Sequence, residues 1–200
     1  MFKKAYVEIT NICNLSCDFC HGTKRTPHRL TAAEFNYIVQ RLRGHTEYVY
    51  LHILGEPLTH PELGDAAYLG AGEALNGEIL GFLRQFFGSD WQKSRDGFKL
   101  GKLLYLENAA KFDWPDIESG ERNVQFCQGL RDQIGILCDG TAVPCCLDAD
   151  GSIPLGNIFE QTLDDILDSE RAKAIYHGFS NRAPSEALCR RCGFAERFSL

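Results

Sequence analysis

Three cysteines near the start of the chain, Cys13, Cys17 and Cys20, are the residues best suited to chemistry. Thiolate is a soft ligand, and a Cys-x3-Cys-x2-Cys run suits an iron–sulfur cluster or a zinc ion. A structural zinc site closes with four protein ligands, whereas this run supplies three. A four-iron cluster held by three cysteines keeps one iron open for another ligand. The aromatic residue Phe19 stands directly before the last cysteine.

Six further cysteines lie in the last third of the chain: Cys127, Cys138, Cys145, Cys146, Cys189 and Cys192. The apolar run that follows Met1 is interrupted by Glu8 and Asn11, so we expect no secretory signal peptide. Nine cysteines without such a signal favour metal or redox chemistry over a disulfide framework. Thiolate clusters need a reducing compartment, and we therefore predict a cytoplasmic location.

The composition is that of an ordinary globular protein, with 44% apolar and 24% charged residues in 200. This length is enough for one domain, or for one domain and a small appendage. The formal net charge of -6 argues against a general nucleic-acid or membrane-surface binder. No long apolar run suggests a membrane span. We expect neither a nucleic acid nor a membrane as a partner.

The elements around the first cysteines read as strand, helix and strand. Residues 4–9 alternate as a strand does, and residues 48–54 form a β-branched and aromatic run. Between them, Thr31 and Glu34 have the spacing of a capping box, and Gly44 marks the end of the helix. A strand–helix–strand unit of this size predicts two parallel strands.

Two loops should meet at one end of this predicted sheet. Ligands of parallel α/β folds bind beyond the carboxyl ends of the strands. The cysteine loop follows the first predicted strand, and Gly55, Glu56 and Pro57 follow the second. We therefore expect these two loops to lie side by side.

At these residues the sequence resembles the radical S-adenosylmethionine superfamily, whose signature is Cys-x3-Cys-x-aromatic-Cys. The family also has a Gly-Gly-Glu-Pro segment, which reads Leu54-Gly55-Glu56-Pro57 here, with the first glycine replaced. The resemblance implies a [4Fe–4S] cluster on the three cysteines, with its open iron chelating S-adenosylmethionine. It also implies that the Phe19 backbone and the Gly55-Glu56-Pro57 segment contact this cofactor. One electron from the cluster then yields a 5′-deoxyadenosyl radical, which abstracts hydrogen from the substrate.

The middle of the chain departs from the family. The resemblance implies a partial barrel of six β/α units, and the segment between Pro57 and Cys127 has room for about two units of ~30 residues. We predict a barrel shortened near residues 65–76, a helix over 76–87 and a strand over 102–107. A missing wall predicts slow cleavage of S-adenosylmethionine without coupling to substrate, because contacts that orient the adenosyl group are lost.

The last third reads as a hairpin over residues 134–145 that turns at Asp139 and Gly140. A helix is predicted from about Thr162 through Tyr176, with Asp164 and Asp165 suited to its N-terminal end.

This part of the chain resembles the twitch domain, a shortened SPASM domain found in many radical S-adenosylmethionine enzymes. Cys127, Gly140 and Cys145 fit the opening Cys-x(9–15)-Gly-x4-Cys. The resemblance implies one auxiliary [4Fe–4S] cluster with Cys127, Cys145, Cys189 and Cys192 as ligands. Four cysteine ligands leave no open iron, which suits electron transfer or structure. Cys138 and Cys146 are then spare, and free cysteine is commonly buried.

These observations predict an α/β fold: a truncated partial (β/α) barrel of parallel strands over 1–110, and a small C-terminal α+β iron–sulfur domain over 111–200. The predicted function is a radical S-adenosylmethionine enzyme with two [4Fe–4S] clusters. It acts on a peptide or small-molecule substrate and takes electrons from a reductant such as flavodoxin or ferredoxin. Two alternatives stay open, a non-catalytic iron–sulfur electron carrier or remnant, and a zinc-stabilised binding module. Metal content and cofactor cleavage separate the three.

Overall fold

The computed structural model describes residues 1–17, 19–61, 91–94, 97–99, 105–107 and 112–199. The chain divides into two compact units, and each is described by itself. The first unit comprises Met1–Leu15, His21–Ala66 and Asp113–Leu200, and the second comprises Ser16–Cys20 and Ala67–Phe112. The predicted shortening at 65–76 and the predicted helix at 76–87 lie outside the described residues.

The first unit begins with the predicted strand–helix–strand arrangement. It consists of β1 (Phe2–Val7), α1 (Ala32–Leu42) and β2 (Thr46–Tyr50). The two strands are parallel, with Lys4 opposite Tyr48. The predicted βαβ unit is confirmed, although β2 ends at Tyr50 and not at residue 54, because the chain turns there toward the Gly55 loop.

Helix α1 starts and ends where its sequence predicts. The Thr31 hydroxyl accepts the Glu34 backbone N–H at 3.2 Å, and the Glu34 carboxylate accepts the Thr31 backbone N–H at 2.7 Å. The hydrogen bonds that the Thr31 backbone N–H and hydroxyl donate to the Glu34 carboxylate lower the pKa of this carboxyl. Gly44, at φ +83°, then turns the chain into β2. Ile38 and Leu42 are the buried residues of the helix, at the helical spacing that packs one face against the core.

The second unit contains a small antiparallel sheet in its described part. Its strands are β3 (Gln92–Ser94), β4 (Gly97–Lys99) and β5 (Tyr105–Glu107), in the order β3-β4-β5. Strand β5 lies within the predicted strand at 102–107, of which residues 102–104 lie outside the described residues. The sequence did not indicate the other two strands.

A hairpin from the last third of the chain continues the sheet of the first unit. Strand β6 (Gln133–Ile136) is parallel to β1 on the edge opposite β2, with Lys4 opposite Gln133. Strands β7 (Thr141–Val143) and β8 (Gly156–Asn157) follow antiparallel, which gives the order β2-β1-β6-β7-β8. The predicted hairpin is confirmed. The sheet runs across the predicted boundary at 110/111, and that division into two domains stays a prediction.

The helix predicted over 162–176 is two helices, α2 (Leu163–Asp168) and α3 (Glu170–Ser180). The prediction of one continuous helix was wrong because Ser169 is extended at ψ 148° and its hydroxyl caps α3 by accepting the Ala172 N–H at 3.2 Å. Serine competes with the helical backbone in this way and favours caps over helix interiors. The helix begins close to the predicted start at about Thr162, and Thr162 caps the N-terminal end of α2.

One apolar core joins β1, β6 and the three helices. Its most deeply buried members come from both ends of the chain: Ala5, Val7, Ile38, Ile134, Ile136, Ile158, Ile166 and Ile175. The mixed α/β class with parallel strands is thereby confirmed, and the barrel stays a prediction. Of the helices that the structure describes, none has the length and apolar character needed to cross a membrane.

Candidate cofactor and cluster sites

The base of the cysteine loop is fixed by side-chain hydrogen bonds directly after β1. The Thr10 hydroxyl donates to the carbonyl of His28 at 3.1 Å, and the Asn11 amide donates to the carbonyl of Thr26 at 2.8 Å. The Asn11 side-chain oxygen accepts the His28 N–H at 2.7 Å. Both side chains are buried, so these bonds hold the chain at one place just before Cys13.

The loop after β2 packs directly on this base. Gly55 has φ +77°, and a Cβ at this residue would lie 2.2 Å from the Thr10 carbonyl oxygen. The Glu56 N–H donates to the carbonyl of Ile12 at 2.9 Å. Glu56 is therefore hydrogen-bonded to the residue that precedes Cys13, and the Gly55 loop lies beside the base of the cysteine loop.

The Gly55 loop is largely buried and is hydrogen-bonded within the first unit. Glu56 is only 6% exposed, and the following 3-10 turn, Pro57–Thr59, closes on its carbonyl through the Thr59 hydroxyl at 2.8 Å. Burial lowers the pKa of the neighbouring His52, and the Glu56 charge only partly opposes this effect. His52 is therefore a neutral imidazole at pH 7.

An aromatic group lies beside this loop. The rings of Tyr6 and Tyr50 are stacked at 5.2 Å between centroids, and His52 meets the Tyr6 ring edge-on at 5.8 Å. Tyr50 is 43% exposed, so part of this group is accessible in the first unit. Stacked aromatic faces with polar edges are typical of small-molecule binding surfaces.

The three cysteines of the first motif belong to different units. Cys13 is exposed in the first unit, while Cys17 is half-buried and Cys20 exposed in the second. Within the second unit the Cys20 N–H donates to the carbonyl of Cys17 at 3.1 Å, and Phe19 is half-buried. A shared cluster on the three thiols stays a prediction.

The four predicted auxiliary ligands line one cavity of the first unit. Cys127 precedes β6, Cys145 follows β7, and Cys189 and Cys192 lie at the two ends of a 3-10 turn. The cavity holds about 330 Å³ of space between its lining atoms, part of it open to solvent. Its other walls are mostly apolar: Pro115, Pro144, Leu147, Asp148, Ile153, Phe179, Leu188 and Ala195. The structure thus brings all four cysteines to one place.

These four thiols are held in an environment that opposes their ionisation. Burial raises the pKa of each of them, and the Cys145 pKa is raised further by the charges of Cys146 and of the other three. Backbone N–H groups of Gly129 and Gln128 partly offset this effect at Cys127. Four thiolates can therefore coexist here only with a positively charged group among them, and a bound metal centre is such a group.

Four cysteines in one cavity can hold either of two kinds of metal centre. Zinc binds four sulfurs at about 2.3 Å each. In a four-iron cluster each cysteine binds a different iron, so the sulfurs stand around the cavity. The donor set of the cavity fits a four-cysteine iron–sulfur cluster.

The two spare cysteines, Cys138 and Cys146, are not among the described residues that line this cavity. Cys138 is 1% exposed, and burial raises its pKa to about 12. Cys146 is half-buried beside the Tyr6 phenol, and burial raises its pKa to about 11. The expectation that Cys138 is buried is confirmed, and Cys146 is less buried than expected.

Cys138 is expected to resist alkylation in the folded protein. At pH 8 a thiol with a pKa of about 12 has a thiolate fraction about 1,000-fold below that of an ordinary thiol. Iodoacetamide should therefore modify Cys138 at least ~1,000-fold more slowly than the exposed Cys20 in cluster-free protein, as followed by mass spectrometry of the peptides. Equal rates at the two residues would contradict the buried, hydrogen-bonded position of Cys138.

The sequence did not point to the buried ion pair of Glu8 and Arg25. Glu8 is wholly buried, and its carboxylate lies 2.5 Å from the Arg25 guanidinium. The only signal was a carboxylate between the apolar residues Val7 and Ile9, two residues before Thr10. Buried charges of this kind are rare unless they are paired.

Comparison with known proteins gives matches for the C-terminal part and for the fold. The family model of the SPASM iron–sulfur cluster-binding domain matches residues 127–193. A search of curated proteins found no match. A crystal structure of BtrN in complex with AdoMet and 2-DOIA is similar with a TM-score of 0.69 and 17% identity, over 96% of this chain and 93% of that one. BtrN in an open conformation is similar with a TM-score of 0.61 and 18% identity, over 96% and 92%.

The matched region includes all four cysteines of the cavity, from Cys127 to Cys192. The similarity to BtrN extends the comparison to the strands and loops that precede it. Residues 127–193 therefore match the SPASM iron–sulfur cluster-binding domain, in a chain whose fold is similar to that of BtrN, and this match agrees with the predicted SPASM-type C-terminal domain.

Proposed function

We propose that the chain is a radical S-adenosylmethionine enzyme with two [4Fe–4S] clusters, which abstracts hydrogen from a small-molecule or peptide substrate. The hydrogen bond from the Glu56 N–H to the Ile12 carbonyl carries this proposal. It joins the Gly55 loop to the residue that precedes Cys13, as a site shared by a cluster and its chelated cofactor requires. The complex of BtrN with AdoMet supports the same cofactor.

In this proposal the cofactor is held by groups from both loops. Cys13, Cys17 and Cys20 bind the first cluster, and the Phe19 backbone faces the cofactor. The buried Glu56 carboxylate accepts hydrogen bonds from the cofactor's ammonium group, an interaction strengthened by charge and by exclusion of water. Gly55 lets the backbone approach closely, since a side chain there would strike Thr10.

When bound and reduced, the cluster and S-adenosylmethionine supply the 5′-deoxyadenosyl radical. The protein's own part is to orient the partners and to keep water away. Ile53 and Leu54, both nearly fully buried, form the apolar support of the Gly55 loop. Tyr6, Tyr50 and the neutral His52 offer an aromatic surface beside this loop for the substrate.

The cavity lined by Cys127, Cys145, Cys189 and Cys192 holds the auxiliary cluster in this proposal. Its four cysteine ligands leave no open iron, so its role is electron transfer or structure. A reductant such as flavodoxin or ferredoxin supplies the electron for cofactor cleavage. The substrate class includes small molecules such as 2-DOIA, which accompanies AdoMet in the BtrN structure, and 2-DOIA is the first compound to test.

Anaerobic reconstitution of the full chain is expected to give about eight irons per chain as two four-iron clusters. With dithionite, S-adenosylmethionine should be cleaved to 5′-deoxyadenosine. Glu56→Gln should lower cofactor affinity at least ~10-fold, because a charge-assisted hydrogen bond is worth about 1.5–3 kcal/mol. Glu47→Gln, which removes an exposed carboxylate on β2, is the matched control and should change nothing.

Each outcome separates the proposed function from its rivals. Eight irons without 5′-deoxyadenosine would show a non-catalytic electron carrier. Stoichiometric zinc without broad visible absorbance would show a zinc-stabilised module. Slow cleavage that 2-DOIA does not stimulate would support the predicted shortening of the barrel or a different substrate, and restoring the segment near residues 65–76 from a longer relative distinguishes these two explanations.

A further inference from the structure

The carboxylate of Glu8 accepts hydrogen bonds from three separate segments of the first unit. Its side chain is fully buried at the end of β1. One oxygen accepts from the Arg25 guanidinium at 2.5 Å and from the backbone N–H of Leu54 at 3.2 Å. The other oxygen accepts from the backbone N–H of Cys138 at 3.1 Å. A single charge thus satisfies donors from three segments that are distant in the sequence.

The Arg25 side chain is also mostly buried, and it contacts both Glu8 and Cys138. Its side chain is 13% exposed, and its second terminal nitrogen lies 3.6 Å from the Cys138 sulfur. Its Nε atom is buried and has no hydrogen-bond partner among the described residues. Burying a guanidinium donor without a partner costs free energy, and other contacts of the group must offset this cost. For Arg25 those contacts are Glu8 and Cys138.

The three segments that Glu8 joins each lead to a proposed binding site. Leu54 directly precedes Gly55, Arg25 lies five residues after Cys20, and Cys138 opens the turn of the hairpin whose far end leads to Cys145. The position of Leu54 matters most. Gly55 packs so closely on the Thr10 carbonyl that a Cβ would not fit there, so a displacement of Leu54 would also disturb this packing.

We propose that Glu8 and Arg25 are positioning residues that fix the Gly55 loop for S-adenosylmethionine and link it to the SPASM hairpin. This inference rests on the proposed function, because it concerns the cofactor site named there. Glu8 accepts a hydrogen bond from the Leu54 N–H and so determines the position of the Glu56 carboxylate, two residues later in the same loop. Its second oxygen places the Cys138 backbone, so that the hairpin and the Gly55 loop share one anchor.

Removing the charge should disturb this anchor without removing any proposed ligand. Glu8→Gln replaces the carboxylate with a neutral amide, in which one of the two acceptor oxygens becomes an NH₂ donor. In the unaltered protein, one carboxylate oxygen accepts from both Arg25 and Leu54. The guanidinium is then left buried without a counter-charge, and the loop shifts to relieve it. The effect should therefore appear in cofactor binding and in the protection of two backbone N–H groups.

The test uses the full chain with both clusters reconstituted, and Glu47→Gln as the matched control on β2. Hydrogen exchange at Leu54 and Cys138 should accelerate at least 10-fold in Glu8→Gln and stay unchanged in Glu47→Gln. The dissociation constant for S-adenosylmethionine should rise about 10-fold or more, because small misplacements of binding groups have large effects. The change that S-adenosylmethionine causes in the electron paramagnetic resonance spectrum of the reduced first cluster should weaken, with iron content unchanged.

A second pair of variants guards against simple unfolding. Glu8→Gln combined with Arg25→Met removes both charges and should recover thermal stability, since a buried ion pair is often replaceable as a whole. Cofactor affinity should recover less than stability does, because Leu54 still lacks its charged acceptor. Arg25→Lys keeps the charge but not the forked geometry and should give an intermediate affinity.

The outcomes distinguish this inference from the proposed function. If the unaltered chain binds S-adenosylmethionine and Glu8→Gln binds it equally well with unchanged exchange at Leu54, Glu8 does not position the loop. If the unaltered chain does not bind the cofactor, the proposed function fails. Exchange at Leu54 and Cys138 in Glu8→Gln then still decides whether Glu8 anchors both segments.

Discussion

Replacing Cys189 and Cys192 together by serine is expected to remove about half of the bound iron, as four of about eight atoms, and to destabilise the first unit by several kcal/mol. Both residues line the four-cysteine cavity, whose walls also include Phe179 and Leu188 of the core. Binding of a metal centre there contributes to the free energy of folding. Burial opposes ionisation of these thiols, and a positively charged metal centre stabilises the thiolates. Iron analysis, visible absorbance and thermal unfolding measure the three consequences.

Two other variants complete this experiment. Replacing Cys13, Cys17 and Cys20 by alanine should remove the other half of the iron and leave the cavity cluster intact. Cys146→Ala is the matched control, because Cys146 adjoins Cys145 and is not among the described residues that line the cavity. It should leave the iron content unchanged. Loss of both clusters in either multiple variant would refute the assignment of these cysteines to separate sites.

Gly55→Ala is expected to abolish binding of S-adenosylmethionine and to destabilise the protein by about 3 kcal/mol or more. At φ +77° a side chain is strained in any surroundings. Here the new Cβ would also lie 2.2 Å from the Thr10 carbonyl oxygen and 2.9 Å from the Asn11 Cα, and neither backbone atom can give way cheaply. The loop must move away from the base of the cysteine loop, which breaks the hydrogen bond from Glu56 to Ile12.

Gly44→Ala provides a matched comparison for this variant. Gly44 has a similar φ of +83°, but no atom lies within 4 Å of the position that a Cβ would take there. This substitution should cost only about 1 kcal/mol, the strain of the backbone itself, and leave cofactor affinity unchanged. Thermal unfolding and equilibrium binding measure both variants. Similar losses at Gly44 and Gly55 would mean that the packing on Thr10 contributes nothing to the site.

Local signals in the sequence predicted the elements close to the first site. The capping box of Thr31 and Glu34, the turn at Gly44 and the turn at Asp139-Gly140 each depend on neighbouring residues, and the structure has all of them. The four cysteines of the cavity followed from spacing and resemblance. The sequence did not predict the break at Ser169. The helical periodicity continues across this residue, so a single helix was expected there.

These local signals did not predict which distant strands pair with each other. Nothing in the pattern of β6 says that it lies beside β1, since register between distant strands is decided by packing in the folded state. The same holds for Glu8 and Arg25, whose contact depends on the return path of the cysteine loop. Sequence alone predicted the candidate binding residues, and it did not predict the residues that hold their loops in place.

The position of β1 between β2 and β6 has a consequence for synthesis on the ribosome. Its neighbours Thr46–Tyr50 emerge soon after it, but Gln133–Ile136 are translated about 130 residues later, roughly 7–25 s at 5–20 residues per second. Until then the nascent chain carries an open strand edge next to Cys13, with unpaired backbone groups that attract other chains. Glu8 also lacks the Cys138 N–H during this interval. A nascent chain that stalls before residue 133 should therefore aggregate and depend on chaperones, whereas one from which Gln133–Ile136 have emerged can cover this edge of β1.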